Sequence, residues 1–220
     1  MGAKRTIIHC NGSLKHQVEI AGCLQAGMGG EISYKADTDA DLHVVLGPWF
    51  ALKQWRFANT LYIDRAYWGD PDCVSIHWLK DGEKVRSKNN GFRPHPKLKP
   101  LKTGKRTVIL CDYGMNGADL SEKYGGDIKR HPAEGDTQPL SAVLEQYSVA
   151  VGRRTTALVD AAIAGLTVHT DDPFSPVWPI SGQRGNRQQW LNDLAWHNWS
   201  KTEISSGEFL NGIGNSNPSD

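Results

Sequence analysis

The chain has 220 residues, of which 39% are hydrophobic and 22% are charged, with a formal net charge of +1 at pH 7. This composition excludes a disordered chain and leaves enough apolar material for one domain or two small ones. The apolar stretches fall well short of the roughly 20 residues that cross a bilayer, and the first eleven residues lack the apolar region of a secretory signal. We therefore expect a soluble, cytoplasmic protein.

The four cysteines are Cys10, Cys23, Cys73 and Cys111, and none of their spacings is CxxC. At least three of them fall in runs that predict buried strands or a helix. This pattern argues against a zinc site and against a disulfide framework. We interpret the cysteines as small hydrophobic residues in a reducing compartment.

Charge is unevenly distributed along the chain. Residues 1–80 carry eight Lys/Arg and eight Asp/Glu, residues 81–106 carry nine and two, and residues 107–220 carry eight and fourteen. A basic band between Lys84 and Arg106 therefore separates a neutral half from an acidic half. Such a band either attracts polyanions or is a solvated linker, and the sequence favours neither.

The first half of the chain alternates predicted strands with predicted helices. Apolar, β-branched runs predict strands at residues 6–10, 31–34, 42–46, 60–63 and 74–79. Helical spacing predicts helices at residues 14–28 and 49–58. This alternation indicates a parallel sheet with helices on both faces.

The basic band predicts an extended linker. It has no periodic apolar pattern and contains Pro94, Pro96 and Pro100. Proline disfavours helix both at its own position and at the residue before it. Residues 84–105 are therefore expected to connect two units.

The apolar pattern resumes after the linker. Strands are predicted at residues 106–111, 127–130, 147–151 and 166–169. Helices are predicted at residues 118–124, 140–146, 157–165 and 186–199, with a final helix that opens on a capping box from Ser200 to Glu203. We predict a first unit at residues 1–83, a second unit with two terminal helices at 106–210, and a frayed tail at 211–220.

Residues 147–173 carry the clearest functional signal. A predicted strand ends before Gly152, and Arg153, Arg154, Thr155 and Thr156 precede a predicted helix. Hydroxyls and free backbone N–H groups at a helix start attract anions, and the two arginines add positive charge. The pattern predicts a phosphate site. The alternative is that Thr155 only caps its helix and the arginines are solvated.

Two segments together resemble a known family. Arg130-His131-Pro132 follows one predicted strand, and GRRTTALVDAAIAG follows a later one. This order resembles the nucleotide-sugar half of the two-domain, Rossmann-like glycosyltransferases of the GT-B type, and capsule-type and small phage-encoded members are similar in pattern. The resemblance implies an α/β fold with two small Rossmann-like, parallel-sheet units facing a cleft, and a C-terminal helical pair. It also implies an enzyme that moves a sugar from a nucleotide sugar to an acceptor hydroxyl.

The resemblance implies roles for residues of the second unit. Thr155 and Thr156 would bind the donor diphosphate, and Arg130, Arg153 or Arg154 would neutralise it as the leaving group. The expected donor is a UDP-sugar. No metal is required if arginines and backbone amides neutralise the phosphates.

Further donor-side candidates lie on the same helix and at strand ends. Asp160 follows Thr156 by four residues and would accept from ribose hydroxyls, unless it only pairs with an arginine. His131 is a candidate catalytic residue, with an ordered strand end as its alternative. Asp112 and Gly114 would also face the donor.

Candidates for the acceptor side lie in the first unit. An inverting enzyme needs a base, and Asp64 is the first candidate, with His9 and Asp41 as alternatives. Gly12 and Ser13 would contact a sugar or a phosphate, unless Gly12 is only a turn glycine. Residues 37–41 contain two DxD patterns, which bind metal in another glycosyltransferase fold, but a solvated acidic loop is the favoured interpretation.

The resemblance and the basic band favour phage DNA with a hydroxymethylated base as acceptor, in the cytoplasm of the host cell, with its phosphates along Lys84 to Arg106. Such an enzyme would extrude its target base, on which Trp49, Trp55, Tyr67 or Trp68 could stack, although core positions are favoured for most of them. A polysaccharide is the competing acceptor. A non-catalytic nucleotide- or DNA-binding module, or a structural component, is the alternative to an enzyme.

Overall fold

A computed structural model describes residues 5–35, 39–47, 59–68, 72–80, 83–84 and 93–213. Contacts between Cα atoms divide the chain into two compact units, Met1–Arg93 with Asp193–Asp220, and Pro94–Asn192. Each unit is an α/β structure built on its own sheet. The predicted helix at residues 49–58, with Trp49 and Trp55, lies outside the described residues, as do Asp37 and Thr38 of the DxD patterns.

The described residues form eleven strands and seven α-helices. The strands are β1 (Thr6–His9), β2 (Glu31–Ser33), β3 (Leu42–Leu46), β4 (Thr60–Arg65), β5 (Cys73–Lys80), β6 (Glu83–Lys84), β7 (Thr107–Leu110), β8 (Asp127–Lys129), β9 (Val149–Val151), β10 (Thr167–His169) and β11 (Asn198–Ser200). The helices are α1 (Lys15–Met28), α2 (Ala118–Tyr124), α3 (Leu140–Gln146), α4 (Ala157–Ile163), α5 (Arg187–Ala195), α6 (Lys201–Ser205) and α7 (Phe209–Ile213).

The first unit contains a mixed sheet of order β11-β5-β4-β3-β1-β2, with β6 paired to β5. Strands β1 to β4 pair in parallel, as the alternating pattern predicted. Strand β5 runs antiparallel to β4, and β11 and β6 run antiparallel to β5. The prediction of an all-parallel first sheet is therefore wrong at this end, because the chain returns from β4 to β5 as a neighbouring strand instead of crossing over through a helix.

The C-terminal segment belongs to the first unit. The helix predicted at residues 186–199 ends at Ala195, and Trp199 lies on β11, where it is 1% exposed. Its indole packs in the first core with Ile204, Phe209 and Ile213. The sequence-based division placed these residues in the second unit, since a short antiparallel edge strand gives almost no signal in a sequence.

Two side-chain arrangements fix this segment. The predicted capping box is confirmed, because Ser200 accepts from the Glu203 N–H and the Glu203 carboxylate accepts from the Ser200 N–H. The Arg93 guanidinium lies 3.7 Å from the centre of the Trp199 ring and donates to Glu203 at 2.8 Å. Burial of Trp199 and the ion pair of Arg93 with Glu203 therefore hold the C-terminal segment against the end of the N-terminal segment within the first unit.

The second unit contains a four-stranded sheet of order β10-β9-β7-β8, in which every pair is parallel. Helix α2 connects β7 to β8, α3 connects β8 to β9, and α4 connects β9 to β10. The prediction of a Rossmann-like α/β unit in the second half is confirmed by this alternation and pairing.

Residues 94–106, which we call the strap, were predicted as part of a linker but pack along the second unit. The Lys99 N–H donates to the Ile163 carbonyl at 2.9 Å, and the Lys102 N–H donates to the Gly165 carbonyl at 2.7 Å. A Cβ atom on Gly165 would lie 2.2 Å from the Pro100 oxygen, so the strap approaches at a distance that only glycine allows. Of the rest of the predicted linker, Lys84 belongs to β6 and residues 85–92 lie outside the described residues.

In the part of the chain that the structure describes, no helix combines the length and the apolar character needed to cross a membrane. All four cysteines are thiols, of which Cys10 and Cys111 are buried and Cys23 and Cys73 are partly buried.

Candidate functional site

The candidate site is the carboxyl edge of the second sheet, meaning the residues that follow its four parallel strands. These are residues 111–117 after β7, 130–135 after β8, 152–156 after β9 and 170–173 after β10. The strand order reverses between β7 and β9, because the β7 connection leads to one side of the sheet and the β9 connection to the other. In open α/β sheets, ligands bind outside the carboxyl ends of the strands at such a reversal.

The loop after β7 carries Asp112 and Gly114, both predicted to face the donor. Asp112 Oδ1 accepts from the Tyr113 N–H at 2.9 Å, so the aspartate side chain stabilises the turn in which it lies. The Gly114 N–H donates to Glu134 Oε1 at 3.0 Å, so this amide is already bonded to a carboxylate. The Tyr113 side chain is 71% exposed, and it is the most solvent-accessible large hydrophobic residue at this edge.

The loop after β8 carries Arg130 and His131. The Arg130 side chain is exposed and makes no hydrogen bond or ion pair with any described residue, while its N–H donates to Asp136 Oδ2 at 3.2 Å. His131 Nδ1 accepts from the Ala133 N–H at 3.2 Å, and its ring lies edge-on to Tyr113 with 5.9 Å between ring centres. Because Nδ1 accepts, the neutral imidazole carries its proton on Nε2. In this arrangement His131 offers a hydrogen-bond donor and not a base.

The loop after β9 carries Arg153, which two carboxylates hold. Arg153 Nε donates to Asp171 Oδ1 at 3.1 Å and Nη2 to Asp171 Oδ2 at 3.4 Å, a bidentate pair. Nη2 also donates to Asp119. These hydrogen bonds, first to Asp171 and then to Asp119, raise the pKa of Arg153, and the same contact with Arg153 lowers the pKa of Asp119. Nη1 has no hydrogen-bond partner among the described residues, so it remains available to a ligand.

Arg154 is held differently. Its Nε donates to Asp172 Oδ2 at 2.6 Å, and its guanidinium lies 5.2 Å from the centre of the Phe174 ring. More than half of its side chain is exposed. The structure therefore places Arg154 on the outer side of the loop, facing solvent.

The two threonines lie at the helix start, as predicted. Thr155 is buried, and its Oγ1 accepts from the Ala157 N–H at 3.3 Å. Thr156 is the exposed residue immediately before α4. A Cβ atom on Gly152 would lie 2.7 Å from the Leu110 oxygen, so glycine is needed where the β9 loop passes the end of β7. Thr155 thus bonds one N–H at the start of α4, while Thr156, the N-cap residue, makes no side-chain cap hydrogen bond.

Asp160 lies on α4 and is partly buried. Burial raises the pKa of its carboxyl to about 6. Its side chain makes no hydrogen bond or ion pair inside the described ranges, so it does not pair with Arg153 or Arg154. A carboxyl in this state is ionised at neutral pH, when it can accept a hydrogen bond from a ligand hydroxyl, and takes up a proton as the pH falls through about 6.

The loops converge on the end of β7. Burial raises the pKa of the Cys111 thiol, with smaller effects from Glu134, Arg130 and Asp119. Those three residues come from the β8 loop and from the start of α2, so they lie close to one thiol. Through Asp119 the β9 loop joins the same group. Hydrogen bonds therefore join the β9 loop to α2 through Arg153 and Asp119, and the β7 loop to the β8 loop through Gly114 and Glu134.

The acceptor-side candidates are less favourably placed. Asp64 Oδ2 lies 3.0 Å from Lys84 Nζ, and Oδ1 accepts from the Arg65 N–H at 2.8 Å. Burial and then Asp64 itself raise the pKa of Tyr62, which shares a hydrogen bond with that carboxylate. Asp64 is therefore occupied by three partners. This arrangement does not support Asp64 as the catalytic base.

The other base candidates are tied to the first unit's own structure. His9 is fully buried, and its Nε2 lies 3.2 Å from His43 Nδ1. Asp41 accepts from the Arg5 N–H at 2.6 Å. His9 is thus closed off from solvent, whereas Asp41 is exposed and its Oδ2 holds the backbone of Arg5.

At the end of β1, Gly12 packs under the Tyr34 ring, where a Cβ atom would lie 2.9 Å from a ring carbon. The Ser13 N–H donates to Asn11 Oδ1 at 3.0 Å. Tyr67 is buried and its hydroxyl lies 2.8 Å from His77 Nε2, while Trp68 is half-buried. Tyr67 is therefore a core residue, the interpretation that the sequence favoured for most of these aromatics.

Sequence reasoning missed the residues that organise the carboxyl edge, namely Tyr113, Asp119, Glu134 and Asp171. Tyr113 follows Asp112 in the turn that was predicted, and Asp171 follows a predicted strand, so both positions were visible. Their partners were not, because the contacts join residues 18 to 34 positions apart. Within the described ranges, no group of three or more His, Cys, Asp or Glu side chains is arranged to hold a metal ion.

No family model matches the chain, and no curated protein matches its sequence. Among solved structures, the fold matches KpsC of Thermosulfurimonas dismutans, a beta Kdo 2,7 transferase, with a TM-score of 0.53 at 9% identity. The match covers 94% of this chain and 99% of that chain. The likeness is one of fold alone.

Proposed function

We propose that this protein is a glycosyltransferase that moves a sugar from a nucleotide-sugar donor to an acceptor hydroxyl. The observation that carries the proposal is the carboxyl edge of the second sheet, where the loops after β8 and β9, on either side of β7, carry Arg130 and Arg153 beside the strand-order reversal. The fold shared with a glycosyltransferase supports the same reaction class. A two-unit organisation of the GT-B type is part of this proposal.

The donor side is assigned to the two arginines with unused N–H groups. In this proposal, Arg130 and Nη1 of Arg153 contact the diphosphate of a UDP-sugar. Negative charge grows on that diphosphate as the glycosidic bond breaks, so fixed cations there stabilise the transition state more than the ground state. His131 adds a neutral donor through Nε2, and the arginines take the place that a metal ion has in other transferases.

The acceptor is the less constrained part of the proposal. A hydroxymethylated base in phage DNA is our first candidate, supported by the basic residues of the strap, and a polysaccharide is the alternative. The contacts of Asp64 leave the base unassigned among the described residues. A base is required only if the reaction inverts the anomeric centre.

The test is a screen of UDP-sugars with hydroxymethylated DNA, unmodified DNA and polysaccharide, in which mass spectrometry detects released UDP and the sugar-bearing product. We expect UDP release by the wild-type protein and a loss of at least about 100-fold in Arg130→Ala and Arg153→Ala. Arg5→Ala is the matched control, since Arg5 is a first-unit arginine that pairs with Glu31. Loss of activity in all three variants would point to misfolding and not to a donor site.

A non-catalytic binding module is the second candidate, and the ion pair between Asp64 and Lys84 favours it. Such a module would bind UDP or a UDP-sugar without releasing product. If calorimetry detects binding of UDP or a UDP-sugar and no combination of donor and acceptor gives turnover, the protein is a binding module and not an enzyme.

A further inference from the structure

The strap is fixed to the second unit along its length. Beyond the main-chain bonds of Lys99 and Lys102, the Arg187 side chain donates to the carbonyls of Ala162 and Lys99. Pro100 restricts the backbone between the Lys99 and Lys102 anchors, and Pro94 and Pro96 restrict it in the residues before them. Side chains of the strap therefore project from a backbone whose position is set before any ligand arrives, which lowers the entropy lost on binding.

The strap carries five Lys/Arg and no Asp/Glu, at residues 97, 99, 102, 105 and 106. Two of these cations are used within the unit. Lys102 Nζ donates to the Leu144 carbonyl at 2.7 Å and so neutralises the carbonyl end of α3. The Arg106 guanidinium lies 4.5 Å from the centre of the Tyr147 ring and 3.5 Å from Asp127.

The other three cations, Lys97, Lys99 and Lys105, are exposed and make no side-chain hydrogen bond or ion pair with a described residue. Most described lysines elsewhere are paired. Of the seven described lysines outside the strap, five lie within 4.0 Å of a carboxylate, namely Lys15, Lys84, Lys123, Lys129 and Lys201, and the other two are Lys35 and Lys80. Three of the five described lysines whose side chains have neither a hydrogen bond nor a carboxylate partner among the described residues therefore lie within nine residues of one another on the strap.

We infer that the strap binds the phosphate backbone of a nucleic acid through Lys97, Lys99 and Lys105. Lys97 and Lys99 are two residues apart, which spans at most about 7 Å, and a DNA strand carries one phosphate per ~3.4 Å along its axis. Lys105 lines a hollow of about 510 Å³ between residues 101–106 and 145–148, which gives a phosphate a recess on this side. An ammonium meets a phosphate as a point charge, so these contacts bind without reading sequence.

DNA binding by the strap does not itself depend on the proposed function. Its biological role does, because the DNA would be the polymer that carries the acceptor hydroxyl. A duplex presents a negative charge per ~1.7 Å, so several phosphates lie within reach of lysines this close together. Each neutralised phosphate releases counterions, and binding therefore weakens with salt in proportion to the number of contacts. The slope of log K against log [salt] therefore reports how many of the three lysines contact phosphates.

The experiment measures binding of a fluorescent 30-base-pair duplex by anisotropy between about 50 and 300 mM NaCl. Against the wild-type protein, the variant Lys97→Gln/Lys99→Gln/Lys105→Gln should lower the magnitude of the slope of log K against log [NaCl] by about 2.7, or 0.9 for each lost contact. The control variant Lys15→Gln/Lys123→Gln/Lys201→Gln removes the same charge from paired lysines and should leave the slope within about 0.5 of wild type. Circular dichroism of both variants confirms that they are folded.

An equal fall in slope for both variants would overturn the inference, because total charge and not the strap would then explain binding. Tighter binding to an acidic polysaccharide than to the duplex, with the same dependence on the strap lysines, would assign the strap to that polymer instead. UDP-sugar turnover without DNA separates the two proposals. Turnover of a UDP-sugar without DNA binding would contradict only the assignment of the strap. DNA binding that depends on the strap, without turnover of any UDP-sugar, would contradict only the proposed function.

Discussion

Arg153 and Arg154 are adjacent in the chain but differ in what they can offer a ligand. Asp171 holds Arg153 through two parallel hydrogen bonds, which fixes the plane of the guanidinium and directs Nη1 away from its partners. Arg154 donates from Nε to Asp172, and more than half of its side chain is exposed. A fixed guanidinium loses less conformational entropy when it binds a phosphate. Arg153 is for this reason the stronger of the two donor-side assignments.

Asp160 makes the stability of the second unit depend on pH. Burial raises its pKa from 3.8 to about 6, so the folded state binds a proton more tightly than the unfolded chain does. Stability from this group is fully present below the unfolded pKa and is lost as the pH rises through about 6. We expect Asp160→Asn to be more stable than wild type, with a gain that is larger by about 1 kcal/mol at pH 8 than at pH 5, because the amide never ionises.

Urea unfolding of both proteins at pH 5 and pH 8 measures this difference. Glu122→Gln, at an exposed position on α2, is the control and should give a gain near zero at both pH values. If the gain from Asp160→Asn were the same at pH 5 and pH 8, ionisation of Asp160 would not be its cause.

At the level of single residues, the sequence located strand ends correctly but not their hydrogen bonds. Arg130, Arg153 and Thr155 lie where the pattern put them, since each directly follows or precedes a periodic apolar run. The Lys84 partner of Asp64 and the carboxylate partners of Arg153 come from other strands, helices and loops, and those pairings depend on register. The sequence could therefore not predict which oxygen or N–H group of a candidate site residue is already hydrogen-bonded and which is available to a ligand.

Among the elements, α1 and α6 show how closely two helices of the first unit approach. A Cβ atom on Gly27 would lie 1.8 Å from the Ile204 carbonyl oxygen, a backbone atom that cannot rotate away. Gly22 lies on the same helix with nothing within 4 Å of an added Cβ. An alanine side chain would therefore clash at Gly27 and would meet no neighbour at Gly22.

We expect Gly27→Ala to destabilise the protein by about 2 kcal/mol or more, because α6 must move away from α1 and from the core that Ile204 joins. Gly22→Ala should stabilise it by about 0.5–1 kcal/mol, since alanine favours the helix and meets no neighbour. Chemical denaturation of the two variants measures both changes. Similar effects at the two positions would contradict the close packing of α1 on α6.

The elements of the second half were easier to predict than those of the first. Strands β7 to β10 alternate with helices, and β7 and β9 are compact apolar runs, which is the pattern of a parallel sheet. Strands β5 and β11 pair antiparallel through residues 123 or more positions apart. Pairing over that separation leaves no local periodicity, so β11 was predicted as the end of a helix.

For the whole molecule, the division of the chain decides which fragment can fold. Residues 94–192 contain the complete parallel sheet, its helices and the strap that caps α3 and α4. The sequence-based second unit, residues 106–210, lacks most of the strap and carries Trp199, Ile204 and Phe209, whose core lies in the first unit. The fragment 106–210 would therefore expose apolar side chains and leave backbone carbonyls of α3 and α4 without their hydrogen-bond donors.

We expect the fragment 94–192 to be monomeric and to unfold cooperatively in urea, because it keeps its core and its strap. The fragment 106–210 should aggregate through its exposed Trp199 and Phe209, or unfold with a lower free energy, since each strap hydrogen bond that it lacks leaves a backbone carbonyl unsatisfied at a cost of about 1–3 kcal/mol. Size-exclusion chromatography and urea titration followed by circular dichroism compare the two. Equal stability would mean that the strap and the C-terminal segment add nothing to the units in which they pack, and would restore the boundaries that the sequence alone predicts.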